Sequence, residues 1–241
     1  MLAIDGLCAG YGPLTVLHDV SLRMDSGEAV AIVGANGAGK TTLVRAICGL
    51  IRAKSGRIAM NDVDITGLPP HHRVQHGLAS LLENRRLFGE LTVRDNLRLA
   101  EEAGRRHRGS RIQFAWKDIC ELFPVIPERA GTRVELLSGG QQQMVAIARG
   151  LLLQPDVLIL DEPSTGLAPK VVKDILNVLR DLRQRGMSIL LVEQNVGIAV
   201  EITDRAYVMS LGHIVYAVQG AEWQGFMHDE RLTKAYLGGA K

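Results

Sequence analysis

Gly34-Ala35-Asn36-Gly37-Ala38-Gly39-Lys40-Thr41-Thr42 follows a strand-like run at residues 28–33 and opens a helical pattern through Leu43, Ile47 and Leu50. The stretch fits G-x-x-x-x-G-K-[ST] in the strand, turn and helix order of a phosphate-binding loop. Glycines at 34, 37 and 39 let the backbone curl until successive N–H groups converge on phosphate oxygens. The helix that follows adds its positive N-terminal end. Gly34, Ala35, Asn36, Gly37, Ala38, Gly39, Lys40, Thr41 and Thr42 are therefore the expected phosphate-binding residues. Lys40 reaches the β- and γ-phosphates as a point charge, and Thr41 offers a hydroxyl to magnesium, a hard ion content with one or two protein oxygens.

Working outward, Val157-Leu158-Ile159-Leu160-Asp161-Glu162 is an apolar strand that delivers two carboxylates at its C-terminal end. Asp161 is placed to hold magnesium, directly or through water, and Glu162 to polarise the water that attacks the γ-phosphorus. The two motifs together imply nucleotide hydrolysis. No Asn-Lys-x-Asp guanine reader is present, which favours ATP over GTP.

The 241 residues are 46% hydrophobic, enough for a sizeable core, so disorder is excluded. Lys and Arg number 28 against 26 Asp and Glu, and the resulting +2 charge carries no signal for a nucleic-acid partner. Apolar stretches at 157–160 and 189–192 fall far short of the ~18 residues a membrane helix needs. The N-terminus, Met1-Leu2-Ala3-Ile4-Asp5, lacks the basic, apolar, small-residue order of a secretory signal. The chain is expected to stay where it is made, with Cys8, Cys48 and Cys120 as reduced thiols packed like small core residues.

Residues 2–9, 15–24 and 28–33 read as strands, and their closeness in the chain suggests antiparallel pairing. Later strand-like runs at 78–82, 157–160, 189–192 and 206–209 alternate with helical patterns, which means a parallel sheet covered by helices on both faces. Residues 91–124 read as a helical insertion, with Thr92 as its N-cap. Within it, Phe114 and Trp116 serve either core packing or docking of a partner's helix, and the basic run 105–108 is a solvated loop. The helix after Pro169 puts Val172, Ile175, Leu176, Leu179 and Leu182 on one stripe. His71, His72 and His76 belong to a short surface helix.

Leu137-Ser138-Gly139-Gly140-Gln141-Gln142-Gln143 precedes another helix. Set at this spacing before the Asp-Glu strand, it resembles the signature of ATP-binding-cassette ATPases, and the resemblance covers almost the whole chain. It implies an α/β P-loop ATPase with a RecA-like parallel core, an N-terminal antiparallel β subdomain and a helical subdomain. One domain spans 1–241, with about 1–90 and 155–241 as the catalytic core and 91–154 as the helical part. It also implies that Ser138, Gly139, Gly140 and Gln141 hold the γ-phosphate of ATP bound to the loop of a second ATPase subunit, so that catalysis needs a dimer, of like or unlike chains. Tyr11 stands where the family stacks a ring on adenine.

Three positions depart from the broad family pattern, one of them Ala168, where many relatives put an aspartate. Glu83 occupies the slot of a magnesium-sensing glutamine, where a carboxylate can still bind the metal. Gln194 replaces a switch histidine; it can hydrogen-bond a phosphate but takes up no proton, which leaves Glu162 as the base. Glu83 with Arg85-Arg86-Leu87-Phe88, Gln194 within Val-Glu-Gln-Asn, Gly166-Leu167-Ala168-Pro169 and Ala235-Tyr236-Leu237-Gly238 look like the shorter ATPase of branched-chain amino acid importers. The resemblance implies integral permeases as partners, a solute-binding protein as an indirect one, and a peripheral place on the cytoplasmic face of the cell membrane. Relatives that handle urea or short amides share most of these features, and a soluble cassette ATPase is the other alternative.

Overall fold

The computed structural model describes residues 1–82, 86–105, 112–226 and 229–236. Strands β1 (Leu2–Tyr11) and β2 (Leu14–Met24) form an antiparallel hairpin, and β3 (Ala29–Val33) leads through the glycine loop into α1 (Lys40–Ile47). Then come β4 (Ala53–Met60), β5 (Val63–Asp64), α2 (Pro70–Gln75) and β6 (Leu78–Leu81). Helices α3 (Val93–Gly104), α4 (Trp116–Leu122), α5 (Val125–Glu128) and α6 (Gly139–Leu152) fill the interval before β7 (Val157–Asp161). The chain ends with α7 (Pro169–Gln184), β8 (Ser188–Glu193), α8 (Val196–Ile202), β9 (Arg205–Ser210), β10 (His213–Gln219), α9 (Gly220–Gly225) and α10 (Glu230–Tyr236).

One sheet has the order β2-β1-β4-β5 and is antiparallel; the other runs β10-β9-β3-β8-β7-β6 and is parallel except for β10. Residues 28–33 therefore do not join the antiparallel hairpin as their closeness in sequence suggested. All five residues of β3 are buried, and a strand covered on both faces belongs inside a parallel sheet, where β3 lies between β8 and β9.

Side chains alternate across this sheet with period two. Ala29, Leu158, Leu160, Ile189 and Leu191 pack with Leu97 of α3, Leu151 of α6 and Ile175 and Leu179 of α7. Further along the same face, Ala31, Val33 and Val208 pack with Ala199, Trp223 and Phe226. The opposite residues, Val30, Ile32, Val157, Ile159, Leu190 and Val192, meet Leu43, Val44 and Ile47 of α1 and Leu2, Ile4, Leu22 and Met24 of the hairpin. Helices thus lie on both faces as expected, with α1 sharing the second face with the antiparallel sheet. Each fully buried Val, Leu, Ile or Met among them stabilises the fold by about 1.5–3 kcal/mol relative to exposure.

Thr92 caps α3, its hydroxyl accepting from the Asp95 amide at 3.1 Å. Phe114 is buried with Ile119, Phe123 and Ile126, whereas Trp116 is partly buried at the edge of that cluster, with the Arg94 guanidinium 4.6 Å from its ring centre. Glu83 and residues 106–111 of the basic stretch lie outside the described residues. Among the described residues, no helix is long and apolar enough to cross a membrane.

Candidate active site

Adjacent strands β3, β8 and β7 end at one edge of the parallel sheet. Val33 is in register with Glu193, and Asp161 with Val192. Gly34, Gln194 and Glu162 consequently step off the sheet side by side.

At the first of these exits the backbone is crowded. A Cβ on Gly34 would stand 2.4 Å from the Met209 carbonyl oxygen, so only glycine fits. Gly37 and Gly39 adopt left-handed φ values of +82° and +103°, and Gly39 is the residue that caps the start of α1. The Ala38 amide donates to the Ala35 oxygen at 3.1 Å, and the Ala38 oxygen accepts from the Gly212 amide at 2.9 Å, pinning the loop to the turn between β9 and β10. Asn36 and Gly37 are exposed, Thr41 is half-buried and Thr42 is buried. Lys40 is buried; its Nζ donates to the oxygens of Gly34 at 2.9 Å and Ala35 at 3.3 Å. The ammonium is thus folded into the loop, 3.3 Å from Glu162 Oε1.

Glu162 has φ +49°, a left-handed conformation uncommon for a residue with a side chain. Its amide donates to the Val192 oxygen at 2.8 Å, and its Oε2 accepts from Thr165 Oγ1 at 3.2 Å. Asp161, one residue earlier, is buried at the end of β7. Chiefly through burial, with the Asp161 charge adding, the Cys48 thiol behind the site is pushed up to about 11.

Ser138 begins α6 in a reciprocal cap. Its Oγ accepts from the Gln141 amide at 3.3 Å, and its own amide donates to Gln141 Oε1 at 3.0 Å. The Gln141 side chain is accordingly turned back onto its own helix start. Gly140 lets this helix lie against α7, since a Cβ there would meet Val171 Cγ1 at 2.6 Å. Tyr11, 41% exposed at the end of β1, accepts a hydrogen bond on its hydroxyl from Arg45 Nη1 at 2.9 Å. Gln194 is exposed, and its backbone oxygen accepts from the Tyr236 hydroxyl at 2.8 Å. The structure gathers the glycine loop, Lys40, Asp161, Glu162 and Gln194 at one edge; Ser138–Gln141 stands at another loop, beside α7.

Two residues near this edge and one behind it, at the other end of α1, escaped the sequence reading. Glu193 is buried at the end of β8 and accepts from Ser164 Oγ at 2.7 Å; burial above all raises its carboxyl from the ordinary range. A glutamate closing an otherwise apolar strand was the signal. The Tyr236 hydroxyl, pushed up to about 12 mainly by burial, donates a hydrogen bond to the Gln194 backbone oxygen. Arg73 lies in α2, read as a surface helix, yet it is buried. Its guanidinium donates to the oxygens of Ala46, Ile47 and Thr66 at 2.7 Å and of Leu68 at 2.9 Å, capping the far end of α1.

A glycine loop ahead of α1 and an Asp-Glu pair at the end of a buried strand of the same sheet define a P-loop nucleotide hydrolase. The model of the ABC transporter family matches residues 17–165, and the chain belongs to that family. It is 40% identical to the high-affinity branched-chain amino acid transport ATP-binding protein BraG of Pseudomonas aeruginosa, over 99% of this chain and 100% of that one. It is 35% identical to the lipopolysaccharide export system ATP-binding protein LptB of Haemophilus influenzae, over 99% and 97%. A solved ATP-binding cassette of an ABC transporter matches with a TM-score of 0.82 at 27% identity, covering 98% of both chains.

Proposed function

We propose that this chain is the ATP-hydrolysing subunit of a branched-chain amino acid importer. The observation that carries the chemistry is the Lys40–Glu162 pair at the mouth of the glycine loop. Full-length similarity to BraG supports the cargo. In this reading the amides from Gly34 to Thr42 and the Lys40 ammonium hold the β- and γ-phosphates, and Tyr11, braced by Arg45, stacks on adenine.

The donor set fits magnesium, because a hydroxyl and a carboxylate are the hard oxygen ligands that ion prefers. Thr41 and Asp161 would hold it, and when bound it neutralises charge on the phosphates. Glu162 takes a proton from the attacking water as its oxygen bonds to the γ-phosphorus and the bond to the β–γ bridging oxygen breaks, giving ADP and phosphate. Gln194 donates its side-chain amide to the γ-phosphate and moves no proton.

Ser138, Gly139, Gly140 and Gln141 complete the site of a second ATPase subunit, so ATP closes the pair and hydrolysis reopens it. Residues 91–154 form the part that moves against the core of 1–90 and 155–241. Integral permeases seat the chain on the cytoplasmic face of the membrane, and a solute-binding protein feeds them. The similarity to LptB favours a second reading, an export ATPase. Membrane vesicles carrying the chain together with candidate permeases, a second ATPase and a solute-binding protein from the same cell test the choice. Uptake of leucine, isoleucine or valine that requires ATP supports the importer; uptake of urea or a short amide alone moves the cargo. Failure of the chain to recover with those membranes would remove the transport reading.

A further inference from the structure

Glu193 is a carboxyl group that the hydrolysis scheme leaves unused, and only 1% of its surface is exposed. A carboxylate so far from water needs partners. It has them on two loops: Ser164 Oγ donates to Oε1 at 2.7 Å, and the amides of Ser164 and Asn195 also offset its burial. Ser164 comes two residues after Glu162, and Asn195 one residue after Gln194. One buried carboxylate therefore ties together the two loops that leave β7 and β8 at the edge where the phosphate loop leaves β3.

Glu162 is the residue with most need of such a tie. Its left-handed backbone is costly for a residue with a side chain and persists where neighbours over-determine it. One restraint is its amide on the oxygen of Val192, the residue before Glu193. Thr165 closes the turn, its amide donating to the Glu162 oxygen at 3.2 Å and its hydroxyl to Oε2 at 3.2 Å, and the Ser164–Glu193 hydrogen bond ties the same turn to β8. The neutral Gln194 side chain brings no charge that would substitute.

We propose that Glu193 is a positioning residue for hydrolysis: through Ser164 it holds the turn that carries Glu162 and couples that turn to the Gln194 loop. It touches no reacting atom. This inference rests on the reading of Glu162 as the general base.

The test uses Ser164→Ala, Glu193→Gln, Glu193→Ala, the double Ser164→Ala/Glu193→Ala variant and Glu162→Gln, in the assembly in which the wild-type chain turns over ATP. Phosphate release gives kcat, and trinitrophenyl-ATP reports nucleotide affinity. Displacing a reacting group by about 1 Å costs up to about a hundredfold, so Ser164→Ala is expected to lower kcat roughly tenfold with affinity within about twofold of wild type. Glu193→Gln, which keeps an accepting oxygen, should retain more activity than Glu193→Ala, and the double variant should be no slower than the slower single one. Ser164 is only partly buried, so its variant decides the matter even where a Glu193 variant fails to fold. Wild-type kcat in Ser164→Ala, equal losses of affinity and kcat, or losses that multiply in the double variant would overturn the positioning role. If Glu162→Gln also turns over normally, it is the base assignment that has failed.

Discussion

Lys40 Nζ lies 3.3 Å from Glu162 Oε1, and the two side chains are only 4% and 16% exposed. The cation comes from the first residue of α1 and the carboxylate from the residue after β7, so the contact joins the start of the phosphate-loop helix to the end of the acidic strand. A buried charge of either sign needs the other close by.

Lys40→Met removes the ammonium while keeping the stem. Affinity for ATP should fall at least about tenfold, the scale of one charge-assisted contact to phosphate. The unfolding midpoint should fall as well, because Glu162 loses its cation. Titration with a fluorescent ATP analogue checks the first effect; affinity equal to wild type would contradict the phosphate-loop assignment.

Gly34→Ala puts a methyl group 2.4 Å from a backbone oxygen, which cannot swing aside as a side chain would. The loop must shift, at a cost of about 1–3 kcal/mol, and ATP binding should weaken with it. At Gly37, by contrast, a Cβ meets nothing within 4 Å but must accept φ +82°. Gly37→Ala should therefore cost about 1 kcal/mol through backbone strain. Urea unfolding separates the two, and an equal or larger loss at Gly37 would contradict the crowding argument.

Arg73→Met strands the carbonyl oxygens of Ala46, Ile47, Thr66 and Leu68. The loss of stability should be roughly 2–4 kcal/mol. A change below about 0.5 kcal/mol, the range of ordinary surface substitutions, would place Arg73 outside the framework of α1.

Glu28 predicts a pH dependence of stability. Burial alone raises its carboxyl, but the Arg205 guanidinium and the Asp25 amide outweigh burial and hold it below the usual carboxylate range. A group depressed in the folded state stabilises above its unfolded value, about 4.3, and that contribution is lost as pH falls through the folded value. The stability gap between wild type and Glu28→Gln should be full near neutral pH and shrink as pH drops below about 4.3. A gap that stays constant across that range would show that the ion pair is not its source.

The phosphate loop and the Asp161–Glu162 strand were legible because each is a contiguous run whose chemistry needs no distant partner. β3 was misread because neighbours in sequence are the natural guess for neighbours in a sheet, whereas its partners β8 and β9 lie more than a hundred residues on. β4 was missed: Ala53–Met60 is exposed from Lys54 to Arg57 and carries Gly56 at φ +86°, so neither alternation nor a continuous apolar run marks it. Glu193, Arg73 and Tyr236 stayed hidden for one shared reason. A polar side chain reads as solvated until the tertiary fold removes the water around it and supplies a partner from elsewhere in the chain.

Phosphate release by Glu162→Gln, with bound ATP quantified on the same sample, bears most directly on hydrolysis at this edge of the sheet. ATP retained at wild-type affinity with turnover lowered at least about a hundredfold is the expected result, the loss typical of a general base. Turnover at the wild-type rate would contradict it.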